Sequence, residues 1–386
     1  MQNDSKKTIR TFAWASFLHD LGSDIVFSVW PLFVTQTLKA NMATLGFIDG
    51  LGDAIVSISQ ALSGYYSDKW KKRKVFVWLG YLLGGIARVG YALAPVWQWL
   101  IPFRVLDRSG KMRGSPRDAI LAENSTDANR GRNFGFLRMA DNSGAVVGIL
   151  LAMALLPVLG YRMLFLLAAI PSVLASILII KSIRESTDNK KIYKGIMLKN
   201  ISKDLRIYTF GFALFSLGSF SYSFLLVYAK QYGFAFAAVP ILYLLYTVVA
   251  AAMSLPFGKL SDKIGRKKVL YMALGFWILT SAVFIYWHSV VGIVVGILFY
   301  GLHLASLEPV QKTIAAELAD KNYIASSIGG FQTIIGLMAL PASLIAGFLW
   351  DKFSPATPFY FSLLLTLLAI LLLSFVRTNH ISHSFK

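Results

Sequence analysis

An eleven-residue stretch occurs twice in this chain. Gly64-Tyr65-Tyr66-Ser67-Asp68-Lys69-Trp70-Lys71-Lys72-Arg73-Lys74 returns as Gly258-Lys259-Leu260-Ser261-Asp262-Lys263-Ile264-Gly265-Arg266-Lys267-Lys268. The offset is 194 in a chain of 386 residues, so the chain reads as a unit and its copy. A repeat at half-length builds two equivalent bundles. Each copy sits between two long apolar runs, as a basic loop between membrane helices would. Ser115-Pro116 and Glu308-Pro309 repeat at an offset of 193, and Gly135-Phe136 and Gly330-Phe331 at 195.

Composition agrees with the membrane. The chain is 56% hydrophobic, against about 45–50% for a soluble domain, and the excess lies in runs of about 20 residues, long enough to cross a bilayer. A net charge of +19 raises the question of nucleic acid. The Lys and Arg residues fall mostly in alternate short gaps between the apolar runs, which is the positive-inside pattern, and no basic domain stands outside them. A nucleic-acid partner is therefore not expected. The absence of Cys excludes disulfides and thiolate ligands. No cleavable signal peptide is expected, because the first apolar run is long and contains His19, Asp20 and Asp24.

The pattern predicts an all-α integral membrane protein of about twelve helices, with both termini on the basic, cytoplasmic side. The first six-helix bundle is expected over residues 1–182, a basic linker over 183–206 with a surface helix near Ile192–Leu198, and the second bundle with a short tail over 207–386. Trp30, Trp97, Trp99, Trp287 and Trp350 fall near span ends, where an aromatic belt would lie.

Charge inside a span is costly and points to a partner or a water-filled cavity. Asp20 and Asp24 share a face of the first span, with Asp53 in the second and Arg88 in the third. Arg104, Asp107, Arg108 and Lys111 lie in the fourth span, and Arg138 and Asp141 in the fifth. The second half offers chiefly His303 and Glu308. With His19, Asp20 and Asp24 these two could form a divalent-metal site, although such clusters are weakly specific. No resident metal or cofactor is expected, and no nucleotide loop, hydrolase motif or nucleophile–base pair suggests an enzyme.

Six plus six helices with this loop resemble the major facilitator superfamily. Its loop signature is met fully by Gly258, Asp262, Lys263, Gly265, Arg266 and Lys267. In the first copy Gly64, Asp68 and Lys69 match, but Lys71 stands at the second Gly position. Arg104 keeps the first residue of the helix-four motif. Gly135, Gly144 and Gly148 keep the spacing of the helix-five motif of exporters, with Ile149 in place of its Pro, and are expected to pack helices. The resemblance implies a secondary transporter that works by alternating access, most directly a proton-coupled antiporter exporting a small organic solute or drug. It implies a lipid bilayer, a small-molecule substrate and a proton as partners. It also implies a prokaryotic inner-membrane location and a monomer sufficient for function.

Under that resemblance, Asp68 latches onto the start of helix eleven near residues 326–330 when the outward side is open, and Asp262 onto helix five near 133–135. Arg73 and Arg266 support these latches. Helices one and four face the cavity of the first bundle, and Asp20, Asp24 or Asp107 carries the coupling proton. Two alternatives stay open. One is symport of an organic anion bound by Arg104, Arg108 and Lys111; the other is export of a divalent metal.

Overall fold

The structure is a computed structural model that describes residues 2–125, 130–183, 185, 202–231, 234, 239–319 and 324–376. Among these residues every regular element is helical. α1 is Gln2–Phe27, continued by a turn at Trp30–Leu32 and a π-helical turn at Phe33–Thr37. α2 is Met42–Trp70 and α3 is Arg73–Leu93. α4 is broken: Leu100–Ser109 and Gly114–Glu123 flank a 3-10 turn at Gly110–Arg113. α5 and α6 share the stretch Arg130–Ser182 and part at Gly160, where φ is 68°. α7 is Lys203–Gly218 and Tyr222–Gln231, interrupted between them. α8 is Val239–Ile264, α9 Arg266–Tyr286, α10 Val290–Leu318, α11 Ile324–Lys352 and α12 Thr357–Ser374.

Among the described residues, ten stretches are long and apolar enough to cross a membrane. Asn133–Ser182 is one of them but holds two helices, and the broken α4 is not among them. Counting those two separately and adding α4 gives the about twelve helices expected.

Each half packs mainly within itself, with α1 along α5 and α6 in the first and α10 along α8 and α9 in the second. Between the halves, α2 runs along α11 and α5 along α8. Glycine makes the first bundle tight. A methyl group on Gly144 would meet the Phe17 carbonyl oxygen at 2.3 Å, and one on Gly148 the Leu21 carbonyl oxygen at 2.2 Å. These two residues pack α5 onto α1. Gly135 does not, since nothing lies within 4 Å of the corresponding position. It opens onto a cavity at the start of α5.

The repeat survives in backbone geometry. Gly265 begins α9 with φ 97°, and Lys71, at the matching position before α3, has φ 54°. The turn demands a left-handed residue in both copies, although only one supplies glycine. An ion pair recurs as well, to equivalent glutamates but from loop positions one residue out of register. Arg73 pairs with Glu123 at the end of α4, and Arg266 pairs with Glu317 at the end of α10.

The tryptophan belt is only partly as expected. Trp99 and Trp287 are exposed. Trp30 is fully buried and donates to Asp49 at 2.9 Å, and Trp350 is buried against Phe224 and Tyr228. Both lie between helices, where an indole ring fills space and needs a partner for its N–H. Most of the 183–206 linker, with the surface helix suggested there, the tail beyond 376 and loop residues 126–129 lie outside the described residues.

Candidate functional site between the two bundles

The two ends of the molecule differ. The end that carries the repeated basic loops is the loop end; the other is the far end. At the far end the bundles are sewn together. The Asp351 carboxylate, closing α11, accepts from the Met42 and Ala43 amides at 3.1 and 2.7 Å. Gly46, Gly50 and Gly347 bring α2 and α11 so close that an added methyl group would lie 2.0–2.6 Å from a carbonyl oxygen of the opposite helix. The Tyr222 hydroxyl donates to the Phe27 carbonyl at 3.0 Å, and the Ser221 hydroxyl donates to the Asp49 carboxylate of α2 at 2.8 Å.

At the loop end the bundles part. A cavity of about 450 Å³ separates Gln60, Gly64 and Ser67 of α2 from Ile328, Gly329 and Gln332 of α11. A second, of about 1220 Å³, lies between α5 and the pair α8 and α10. Gln311 borders both. The second cavity joins apolar Met139, Val146 and Leu255 with charged Arg138, Glu308 and Lys312. Arg138 is also 3.6 Å from Asp141. The Asp68 side chain lies outside the described residues. Gly64 beside it faces the first cavity, and Gly258 has open space around it. The Asp262 side chain is 72% exposed and lies 3.5 Å from Arg266, the first residue of α9, so it pairs across the loop between α8 and α9 rather than with α5.

Between these ends lies a band of buried charge. Arg104 reaches Asp49 at 2.7 Å, with both side chains almost wholly buried. Its guanidinium also lies over the Trp30 and Phe27 rings, at 4.6 and 5.2 Å. Arg108 lies 4.4 Å over Phe27 and 3.9 Å from Asp107. Asp20 is 3.9 Å from Arg113, and Asp141 is 3.6 Å from Arg117. Arg117 also donates to Ser16 at 2.8 Å. The Asp24 carboxylate accepts from the Tyr243 hydroxyl at 2.8 Å, across the bundle boundary. Tyr243 belongs to an aromatic group with Tyr222 and Tyr246.

The sequence thus identified α4 and α1 as the charged helices but not their pairings. Among the described residues Asp107 and Lys111 form no ion pair; α4 tightens into a 3-10 turn at Gly110, where it comes close to α3. Gly80 and Gly110 cause that approach, each with the carbonyl oxygen of the other 2.5–2.6 Å from an added methyl group. Asp49 was missed, although it is a carboxylate in a span four residues before Asp53. Arg113 and Arg117 were missed too, though they continue the basic spacing of α4. The tyrosines look like ordinary packing residues until α1 and α8 are placed side by side.

The histidines do not converge. His19 contacts Ser172 at 2.9 Å and Ser23 at 3.4 Å, beside Arg88, which bonds Ser23, Ser172 and the Ala168 carbonyl. His303 bonds the Ala273 carbonyl at 2.8 Å and packs on Trp277. Among the described residues no group of three or more metal-binding side chains comes together.

A twelve-helix repeat with charge buried between its halves, closed at one end and parted at the other, defines a transmembrane transporter. The chain belongs to the Major Facilitator Superfamily, whose family profile matches residues 12–228 and 207–386. An uncharacterised transporter of this type from Methanocaldococcus jannaschii is 35% identical over 387 residues, covering 97% of this chain and 96% of the relative. The multidrug resistance protein MdtH of Photorhabdus laumondii is 26% identical over 347 residues, covering 86% and 84%. The nucleoside transporter NupG superposes with a TM-score of 0.78 over 95% of this chain and 99% of that one, at 15% identity. A bacterial homologue of the lysosomal transporter Spinster, in an inward-facing and unoccupied state, gives 0.70 over 96% and 95%, at 16%. At such identities these two structures speak for the fold.

Proposed function

We propose that this transporter exports a small organic solute or drug in exchange for protons, with the loop end facing the cytoplasm. The positive-inside distribution supports that orientation, and under it the structure corresponds to the inward-open state. The observation that carries proton exchange is the Asp24–Tyr243 hydrogen bond. It joins a half-buried acid of one bundle to a hydroxyl of the other. When the bundles rock, the carboxylate changes its partner and its access to water, so its affinity for a proton becomes linked to conformation. The second cavity, apolar on one side and charged on the other, suits an amphiphilic organic cargo. The MdtH relatives carry a multidrug-resistance name, which favours export among the possible directions. Asp20, Asp107 and Asp141 would tune the site from within the first bundle. Asp68 and Asp262 would serve as latches in the outward-open state, supported by Arg73 and Arg266.

The test is proton movement in proteoliposomes of purified protein loaded with a pH dye and challenged with organic cations, organic anions and divalent metals. Proton movement opposite to an organic solute is the expected result. Movement together with an anion would replace this reading by symport, and a response to metals alone by metal transport. Asp24→Asn should retain solute exchange and lose proton-driven accumulation; unchanged accumulation would remove Asp24 from the coupling role.

A further inference from the structure

The two seams between the bundles differ in chemistry. The cavity between α2 and α11 is lined by hydroxyl and amide side chains, among them Ser57, Gln60, Gln332 and Thr333, and by no charged side chain among the described residues. The cavity between α5 and the pair α8 and α10 is apolar and charged at once. Three of its lining residues are large, apolar and open: Met139 is 57% exposed, Val147 37% and Leu255 67%. Glu308 and Lys312 also line it and are exposed, and among the described residues neither makes a hydrogen bond or an ion pair. Arg138 lines it from α5, close enough for its charge to act on both. Arg138 is already shared by Asp141 at 3.6 Å, so the two open charges, on Glu308 and Lys312, balance.

The charged and apolar groups are ordered along the helices. α5 leaves the loop end and α10 returns to it. Arg138 and Lys312 therefore lie toward the loop end, and Val147 and Leu304 lie deeper. Nine positions separate Arg138 from Val147, and eight separate Leu304 from Lys312, which spans about 12–14 Å at the rise of a helix. Ala250 and Ala251 line the deeper part from α8 with small side chains, which leaves an apolar slot. A lipid of the loop-side leaflet has the same order, with its headgroup toward the loops and its chain toward the middle. The deep end of the cavity reaches Tyr246, whose ring lies 5.0 Å from Tyr243, the partner of Asp24.

We propose that cargo enters through the α5–α8 seam from the loop-side leaflet, and that it is an amphiphile with one apolar chain and a zwitterionic headgroup. The chain lies along Met139, Val147 and Leu255. The anionic group sits on Arg138 and Lys312, and the ammonium group on Glu308. This rests on the export reading above, names its cargo class and route, and does not depend on the coupling ion. An acid and a base without partners beside lipid are costly, and a headgroup of both signs satisfies them together. A cargo of one sign leaves the other charge facing lipid.

The test uses the full chain in proteoliposomes that contain lysophosphatidylcholine with a photoactivatable diazirine on its chain. Labelled residues are mapped by mass spectrometry. Label is expected on α5 and α8 around Met139, Val147 and Leu255. Label spread evenly over α6 and α12, or confined to the α2–α11 cavity, would overturn the route. Two-chain phosphatidylcholine with the same diazirine should label the seam far less; equal labelling would mean that bulk lipid fills it, and would overturn the cargo assignment. Glu308→Gln should lower the label about tenfold, as loss of one hydrogen bond to a charged group does. It should also shift preference toward an anionic single-chain probe, lysophosphatidylglycerol. Arg138→Gln combined with Lys312→Gln should instead shift preference toward an alkyltrimethylammonium probe. All three side chains are exposed, so these variants leave the packing of the fold intact. Charge preference unchanged in both variants would overturn the headgroup assignment. Seam labelling without proton movement leaves this inference standing and removes proton exchange. Proton exchange with a water-soluble solute, without seam labelling, removes this inference and leaves proton exchange standing.

Discussion

Asp351, at the end of α11, accepts a 2.7 Å hydrogen bond from the backbone amide of Ala43, in the first turn of α2. It takes a second from Met42. The first turn of a helix leaves amide groups unpaired and carries partial positive charge, so a carboxylate there caps it. The two helices are antiparallel neighbours. Their opposite ends bring the Asp68 loop of α2 near the start of α11, across the smaller cavity. An acid thus follows each helix at the end where its neighbour begins, and rocking would engage one cap while breaking the other.

Removing Asp351 should therefore favour far-end opening. Loss of a cap costs about 1 kcal/mol. Asp351→Ala should shift the balance several-fold, read as faster labelling of a single cysteine at position 37 by a membrane-impermeant maleimide. Unchanged labelling would mean that the cap does not contribute to closure.

The glycines of α5 divide into two kinds. Gly144→Ala and Gly148→Ala push a methyl group against α1 carbonyls and should each cost about 1–3 kcal/mol, seen as a lower Tm of the detergent-solubilised protein. Gly135→Ala meets open space and should shift Tm by little more than helix propensity does.

Lys71 holds a left-handed conformation at φ 54°, where its repeat partner is glycine. A non-glycine residue there carries about 1–2 kcal/mol of strain. Lys71→Gly should raise Tm, offset in part by the greater entropy of the unfolded chain. Gly265→Ala, at φ 97°, should lower it.

The Asp49–Arg104 pair should show strong coupling in a double-mutant cycle. Arg104→Gln leaves a buried carboxylate without its cation, at a cost of about 3–5 kcal/mol. Adding Asp49→Asn removes that charge, so the double variant should unfold at a higher temperature than Arg104→Gln alone. Additive losses of Tm would mean that the two side chains act independently.

Much of this was legible in the residues. Apolar runs of bilayer length, basic gaps and a loop repeated at half-length fix a two-bundle membrane protein, because backbone polar groups in lipid must be satisfied within a helix. The cost of intramembrane charge drew attention to α1 and α4. Even the left-handed turn at Lys71 could be read from the glycine in its copy. What sequence spacing did not supply was partnership. Periodicity orders residues along one helix and says nothing about which helix lies opposite. Asp49 looked like one more acid in a span until Trp30, Arg104, Ser221 and Ser223, drawn from three other helices, closed around it. Asp24 met Tyr243 only when α1 and α8 came together. The run of residues along the chain determined that there would be two bundles with charge inside them. The packing of one bundle against the other decided which end is closed and which acids hold it, because those contacts join residues 172 or more positions apart in the chain.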